Sequence, residues 1–238
     1  VEETDGIPTN NETVLHSLRV YAFVDGQPAG HFYTKDGLDV NNPSFLMHLT
    51  MYSTMTQKVD FYVVANEAAM ETPGSSVLLT ENTTETQLNH FTFTKLNTSK
   101  GLPMFCKQTE TIDLTQLSDK TPADPGHAGH TLLRQDLTFE LKRPIGKLGV
   151  FAAKPVGENG SLRVTGLTVL ASGTRTRNYL MPQTDETLKA ITGITGDISL
   201  EVVEEEVTKT LAENASQTDK ENPANYTPVL NESFYLFE

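Results

Sequence analysis

The residues best suited to hold a metal ion are two histidines in a loop rich in glycine and proline. His127 and His130 are three positions apart, with Asp119 and Asp124 nearby. Imidazole and carboxylate groups are common zinc ligands, but a structural zinc site needs a framework that fixes their tetrahedral arrangement. The composition of residues 118–131 predicts a long loop, which supplies no such framework. We therefore interpret the histidine pair as part of a solvent-exposed loop and predict no metal site.

The chain has one cysteine, Cys106, which follows Phe105 in an apolar stretch. A single cysteine forms no internal disulfide. Nothing close to it in the sequence would lower its pKa, so we predict a buried, unreactive thiol rather than a nucleophile. The sequence also contains no nucleophile elbow, P-loop or dinucleotide-binding glycine motif. We therefore predict that the protein is not an enzyme and holds no cofactor.

The charge balance limits the partners that the chain can bind. It has 31 acidic and 18 basic residues among 238, a formal net charge of −13. Nucleic acids and anionic membrane surfaces attract positive charge, so this balance argues against both as partners. No apolar run approaches the roughly 18 residues that predict a membrane span. Residues 1–5 are acidic where a secretory leader is basic, so we expect either a cytosolic protein or a leader outside this sequence.

The elements that position these residues are strands, and the clearest is the stretch 59–65. It has six apolar or aromatic residues in seven positions, and Asn66 and Glu67 end it abruptly. Its Val and Phe residues suit a pleated surface. A short unbroken apolar run of this kind is typical of a strand buried on both faces, and the period alone leaves a buried helix segment as the alternative. We predict an interior strand here.

Alternating apolar and polar residues predict further strands on both sides of this stretch. Asp25 and Gly26 form a turn that joins the first two strands into a hairpin, and residues 83–89 carry a capping-box pattern that predicts a short helix. The predicted strands are 14–24, 31–33, 45–51, 101–106, 132–141, 148–153, 162–170 and 198–203, with a break at 143–146, a helical segment at 185–191 and an apolar end at 234–237.

Many short strands with frequent turns and few helices predict an all-β protein, specifically an antiparallel β-sandwich. The character of the chain changes after residue 171, where polar and proline-broken sequence becomes more frequent. We therefore predict an N-terminal β-sandwich domain over residues 1–171. Residues 172–238 are expected to form a smaller second β region, either part of a C-terminal β domain or an extension towards one.

Four stretches, taken in order, resemble motifs of the Bacteroidetes fimbrillin family, the type V pilins. Residues 18–23 (LRVYAF) resemble the opening strand of that family, and residues 59–66 resemble its central strand. Residues 101–104 (GLPM) and 141–148 (LKRPIGKL) resemble two later segments, with Gly146 where the family usually has alanine. The order and spacing agree from about residue 14 to residue 170.

The resemblance implies transthyretin-like β-sandwich domains, export as a lipoprotein and assembly into fimbriae at the outer membrane and cell surface, where they support adhesion. It also implies other fimbrial subunits as partners, joined by donor-strand exchange into an open sheet edge. The family's lipobox and first strand are absent before Val14, and the part after 171 is short and polar. We therefore expect a processed or trimmed form with an apolar groove that is open for a donated strand.

A second hypothesis is a cell-surface carbohydrate-binding or adhesin module of sandwich form. Such a module needs an exposed aromatic platform, and the absence of tryptophan together with 8% aromatic residues argues mildly against one. A hydrolase is a third hypothesis, for which the sequence offers no pairing of a nucleophile with a base.

Overall fold

In the computed structural model the apolar stretch 59–65 lies inside the strand β3 (Thr56–Ala65), as predicted. The structure describes residues 14–35, 44–51, 55–72, 79–116, 136–169, 177–184, 197–203, 205–230 and 234–237. The protein is all-β and mostly antiparallel, which confirms the predicted fold class. No helix in these ranges is long and apolar enough to cross a membrane.

The chain divides into two compact units. The first unit comprises Asn11–Pro144 and Tyr179–Thr184, and the described residues of the second lie within Ile145–Asn178 and Asp185–Glu238. The boundary between the two units therefore lies after Pro144. The later segment Tyr179–Thr184 belongs to the first unit. The predicted arrangement, with a domain over 1–171 and a second region over 172–238, differs from this division and stays a prediction of domain organisation.

The strands are short outside one central sheet. In chain order they are β1 (Leu18–Val24), β2 (Gln27–Thr34), β3 (Thr56–Ala65), β4 (Met70–Glu71), β5 (Thr92–Phe93), β6 (Lys95–Leu96), β7 (Met104–Asp113), β8 (Ile145–Leu148), β9 (Phe151–Ala152), β10 (Lys154–Pro155), β11 (Leu167–Val169), β12 (Asn178–Tyr179), β13 (Ile198–Leu200), β14 (Thr210–Leu211), β15 (Thr227–Pro228) and β16 (Phe234–Phe237). The helices are α1 (Glu85–Asn89) and α2 (Gln217–Glu221), with 3₁₀ turns at Glu67–Ala69, Thr98–Lys100, Leu114–Gln116 and Pro223–Asn225.

The first unit is built around a four-stranded antiparallel sheet in the order β2-β1-β3-β7. The predicted hairpin is present, with Asp25 and Gly26 both at positive φ in its turn. Val63 of β3 lies opposite Val20 of β1 and Cys106 of β7, so β3 has a paired strand on each side. The interior position predicted for this strand is confirmed.

Both faces of the sheet are covered. On one face, the fully buried Val20, Ala22 and Val59 belong to a core cluster that also contains Phe61 and Cys106. On the other face, the Tyr62 hydroxyl donates to Oε1 of Glu85 in α1 at 2.7 Å, and α1 begins with the predicted capping box. Because each face is packed, the sheet forms the middle of the first unit.

The end of β3 is held by a single buried asparagine. Asn66 is fully buried at φ 55, and its Oδ1 accepts from the main-chain N–H of His16 at 2.7 Å and of Ser17 at 3.4 Å. Its Nδ2 donates to the carbonyls of Val14 and Leu102, both at 2.9 Å. One side chain therefore joins the segment that leads into β1 to the segment that leads into β7.

The second unit is built from two-stranded pairs. β8 pairs with β16, β9 with β15 and β11 with β13, all antiparallel, whereas β10 and β14 are parallel. Ile145, Val207, Val229 and Leu230 are buried there. The predicted apolar end is thus the strand β16. The prediction of a break at 143–146 is wrong in part, since β8 begins at Ile145 and gains its partner from the far end of the chain.

Candidate functional site

Residues 44–51 form the first of two extended segments that cover the core face of the central sheet. Phe45, Met47, Leu49 and Met51 are half-buried against the core, and the residues between them are exposed. This alternation is that of a strand. The segment runs beside β2, where the Phe45 ring stacks on Phe32 with centroids 4.5 Å apart.

A glycine in β2 allows this close approach. A Cβ on Gly30 would lie 2.4 Å from the carbonyl oxygen of His48 and 2.9 Å from Cδ2 of Leu49, closer than real Cβ contacts come. Next to it, the N–H of Thr50 donates to the carbonyl of Ala29 at 2.6 Å. Gly30 therefore sets the distance between the covering segment and the sheet.

Residues 136–141 form the second covering segment. Leu137, Phe139 and Leu141 are half-buried against the core, again at alternate positions, and the Phe139 ring lies 5.5 Å from the ring of Phe61. The segment ends at Lys142, which exchanges two main-chain hydrogen bonds of 2.8 Å with Phe105. The segment therefore lies over the core and reaches the edge of β7 at its C-terminal end.

Neither covering segment belongs to a sheet ladder with another described segment, although both have the side-chain alternation of strands. The predicted strands 45–51 and 132–141 are therefore found as extended chain without strand partners in the parts that the structure describes. The sheet beneath them is closed, since Val20 is 0% and Val63 is 2% exposed. The described part of the covering layer presents half-buried apolar side chains, and the expected apolar groove for a donated strand stays a prediction.

The structure buries the only cysteine. Cys106 is 8% exposed and faces the same core. Burial raises the pKa of its thiol, which disfavours the reactive thiolate. Among the described residues no three His, Cys, Asp or Glu side chains are grouped so that they could hold a metal ion.

His127 and His130, together with Asp119 and Asp124, lie outside the described residues, so the interpretation of that loop stays a prediction. We expect that replacing both histidines by alanine leaves the melting temperature unchanged, with and without added zinc. Thermal unfolding of the wild type and the double variant checks this. A zinc-dependent rise in melting temperature that only the wild type shows would contradict it.

A cavity of about 350 Å³ lies beside β2. Its polar lining includes His31, His48 and Glu81, and its aromatic lining is Tyr21 and Phe23. Both aromatic side chains are only 1% exposed, so they offer no platform on which a sugar ring could stack. The cavity therefore gives no support to the carbohydrate-binding hypothesis.

A buried ion pair lies on the same side of the sheet. Arg19 bonds both carboxylate oxygens of Glu67, at 2.6 and 2.8 Å, and its guanidinium lies 3.9 Å from the centre of the Tyr33 ring. Nη1 of Arg19 is 2.9 Å from Nε2 of His31. Since an arginine donates, this ring nitrogen of His31 must be the acceptor, and that requires a neutral imidazole.

We predict that this contact makes the protein less stable in mild acid. Burial first, and then the charge of Arg19, lower the pKa of His31, although Glu81 and Glu67 partly oppose this. The contribution is fully present above the unfolded pKa of about 6.5 and is lost as the pH falls below it. Urea unfolding gives the free energy of unfolding at about pH 7.5 and about pH 5.5. The decrease in this free energy between the two pH values should be smaller for His31→Gln than for the wild type. Equal differences would contradict the assignment.

No protein-family model matches the chain, and no curated protein matches it. Among solved structures it is similar to a fimbrial assembly protein from Parabacteroides distasonis, with 15% identity, a TM-score of 0.48, and coverage of 97% of this chain and 72% of that one. A second is the C-terminally truncated tip fimbrial protein Mfa3 from Porphyromonas gingivalis, with 13% identity, a TM-score of 0.40, and coverage of 93% and 75%. A third is a cell-adhesion candidate from Parabacteroides distasonis, with 14% identity, a TM-score of 0.48, and coverage of 94% and 66%. These similar structures are fimbrial and adhesion proteins of Bacteroidetes, the group to whose fimbrillin family the sequence motifs point.

Proposed function

We propose that the chain is a structural subunit of cell-surface fimbriae, without catalytic activity, that accepts a strand from a neighbouring subunit. The observation that best supports this proposal is the covering layer. It consists of residues 44–51 and 136–141 and lies over the sheet of the first unit. Both segments alternate in burial as strands do and have no ladder partner among the described residues. A strand-like segment that belongs to no ladder among the described residues is a surface to which a further strand can add.

The side chains of this layer offer an apolar gain as well as backbone pairing. Seven of them are half-buried at alternate positions: Phe45, Met47, Leu49, Met51, Leu137, Phe139 and Leu141. A donated strand that buries about four apolar side chains against them would gain roughly 1.5–3 kcal/mol for each, before the cost of ordering the strand. Such a joint needs no disulfide, which suits a chain with one cysteine that is already buried.

The sequence motifs support the same proposal, because four of them resemble the fimbrillin pattern in order over residues 18–148. In that pattern the subunits are exported, anchored as lipoproteins and assembled at the outer membrane. We therefore place this protein in surface fimbriae that support adhesion, with other fimbrial subunits as its partners.

Synthetic peptides test the proposal. A peptide of about eight residues, a typical strand length, with valine and threonine alternating should raise the melting temperature of the protein. A peptide of the same composition with the valines grouped together is the control, since it cannot present one apolar face. If neither peptide, nor any peptide copied from the strands of neighbouring fimbrial genes, raises the melting temperature, the proposal is wrong.

A further inference from the structure

The central sheet has two edge strands, β2 and β7, and the chain protects them differently. β2 contains Pro28, which has no N–H to donate, and its pairing with β1 is interrupted by a bulge between Ala22 and Phe23. The covering segment 44–51 also bonds to β2, since the N–H of Thr50 donates to the carbonyl of Ala29. Proline, bulges and coverage are recognised ways of keeping a strand edge from pairing with other chains.

The edge of β7 has no proline or bulge, and beyond Phe105 no described main-chain group bonds to it. β7 pairs with β3 over ten residues, and on its other side Phe105 bonds to Lys142. In an antiparallel strand, alternate residues direct their N–H and C=O groups to the same side. Lys107, Thr109 and Thr111 therefore direct theirs outwards with Phe105, and no described residue pairs with them. Among the described residues, this part of the β7 edge therefore has no main-chain partner.

A carboxylate lies on the core side of this part of the edge. In register, Gln108 stands opposite Phe61 and Glu110 opposite Val59, so both polar side chains share the face of the core. Nε2 of Gln108 donates to Oε1 of Glu110. Glu110 is half-buried, and no cation pairs with it among the residues that the structure describes.

We propose that Glu110 is a specificity-determining residue that prevents β7 from pairing with an apolar strand, in particular with β7 of a second copy of this chain. An apolar strand added at this edge would place its own side chains beside the Glu110 carboxylate on the core side and take that carboxylate further from water without supplying a positive partner, which is unfavourable. This inference rests on the proposed function, since a protein that accepts strands at one place must refuse them elsewhere.

The test is the oligomeric state of Glu110→Val and of the double variant Gln108→Val, Glu110→Val. Thr111→Val is the matched control, because it adds the same side chain to the same strand on the exposed face. By sedimentation equilibrium we expect the wild type and the control to stay monomeric. The double variant should dimerise at least about a hundredfold more tightly than the wild type, with slowed amide exchange at Lys107, Thr109 and Thr111.

Glu110→Gln removes the charge with little change in shape, and we expect about a tenfold tightening from it. It keeps the test decisive if the valine variants fail to fold. Monomeric variants with amide exchange at β7 as fast as in the wild type would overturn the proposal, and so would a wild type that already dimerises through β7. If the variants dimerise but no peptide raises the melting temperature, the proposed function fails while the role of Glu110 stands.

Discussion

Val63→Asp is expected to unfold the first unit. Val63 is 2% exposed, lies in the middle of the interior strand β3, and has Val20 and Cys106 as its cross-strand neighbours. No described cation is placed to pair with a carboxylate there, so the variant must bury a charge or break the sheet. The cost of several kcal/mol is comparable to the whole stability of a typical domain, about 5–15 kcal/mol. Urea unfolding followed by circular dichroism measures it.

Two control variants separate the buried charge from other effects. Val63→Thr keeps the shape and adds one hydroxyl, so we expect an intermediate loss of about 1–3 kcal/mol. Lys58→Asp introduces the same carboxylate at an exposed position of the same strand and should change the stability by about 0.5 kcal/mol or less. A Val63→Asp variant that melts within a degree or two of the wild type would show that β3 is not an interior strand.

Asn66→Ala is expected to be nearly as damaging, for a different reason. The side chain of Asn66 bonds four main-chain groups, those of His16, Ser17, Val14 and Leu102. Alanine leaves these groups without their partner, and each buried group left unsatisfied costs about 1–3 kcal/mol. We therefore expect a loss of about 3 kcal/mol or more in the free energy of unfolding, measured by chemical denaturation.

The exposed Asn82 supplies the matched control, since Asn82→Ala removes the same amide from a surface position. That variant should stay within about 0.5 kcal/mol of the wild type. Asn66→Asp should cost at least as much as Asn66→Ala, because it keeps the acceptor for His16 and Ser17 but places a buried carboxylate oxygen against the carbonyls of Val14 and Leu102. Equal stabilities for Asn66→Ala and Asn82→Ala would contradict the role given to Asn66.

Features with a local signal were predictable from the sequence. The hairpin turn at Asp25 and Gly26, the capping box of α1 and the apolar run of β3 each depend on neighbouring residues, and the structure has all three. β7 was predicted too short, ending at residue 106 instead of Asp113. Its remaining residues alternate between polar types because it is an edge strand, and a polar edge carries little hydrophobic pattern.

Features that depend on distant partners were not predictable. Residues 45–51 and 136–141 have the alternation of paired strands, and pattern alone says nothing of whether a ladder partner exists. The pairing of β8 with β16 joins segments far apart in the chain, and the strand partner of Ile145 could not be read from its neighbours. The half-burial of Glu110 was not predicted, because a carboxylate between two threonines is usually interpreted as solvent-exposed.

The most direct test of the proposed strand acceptance is amide hydrogen exchange in the covering layer. In the isolated protein we predict fast exchange at residues 44–49 and 137–141 and slow exchange in β1 and β3, where the ladder bonds are complete. The alternating valine–threonine peptide, or a neighbouring subunit, should slow exchange in the covering segments and leave β7 from Lys107 to Thr111 unchanged. Covering segments already protected in the isolated protein, or unchanged when every candidate strand is added, would contradict the account.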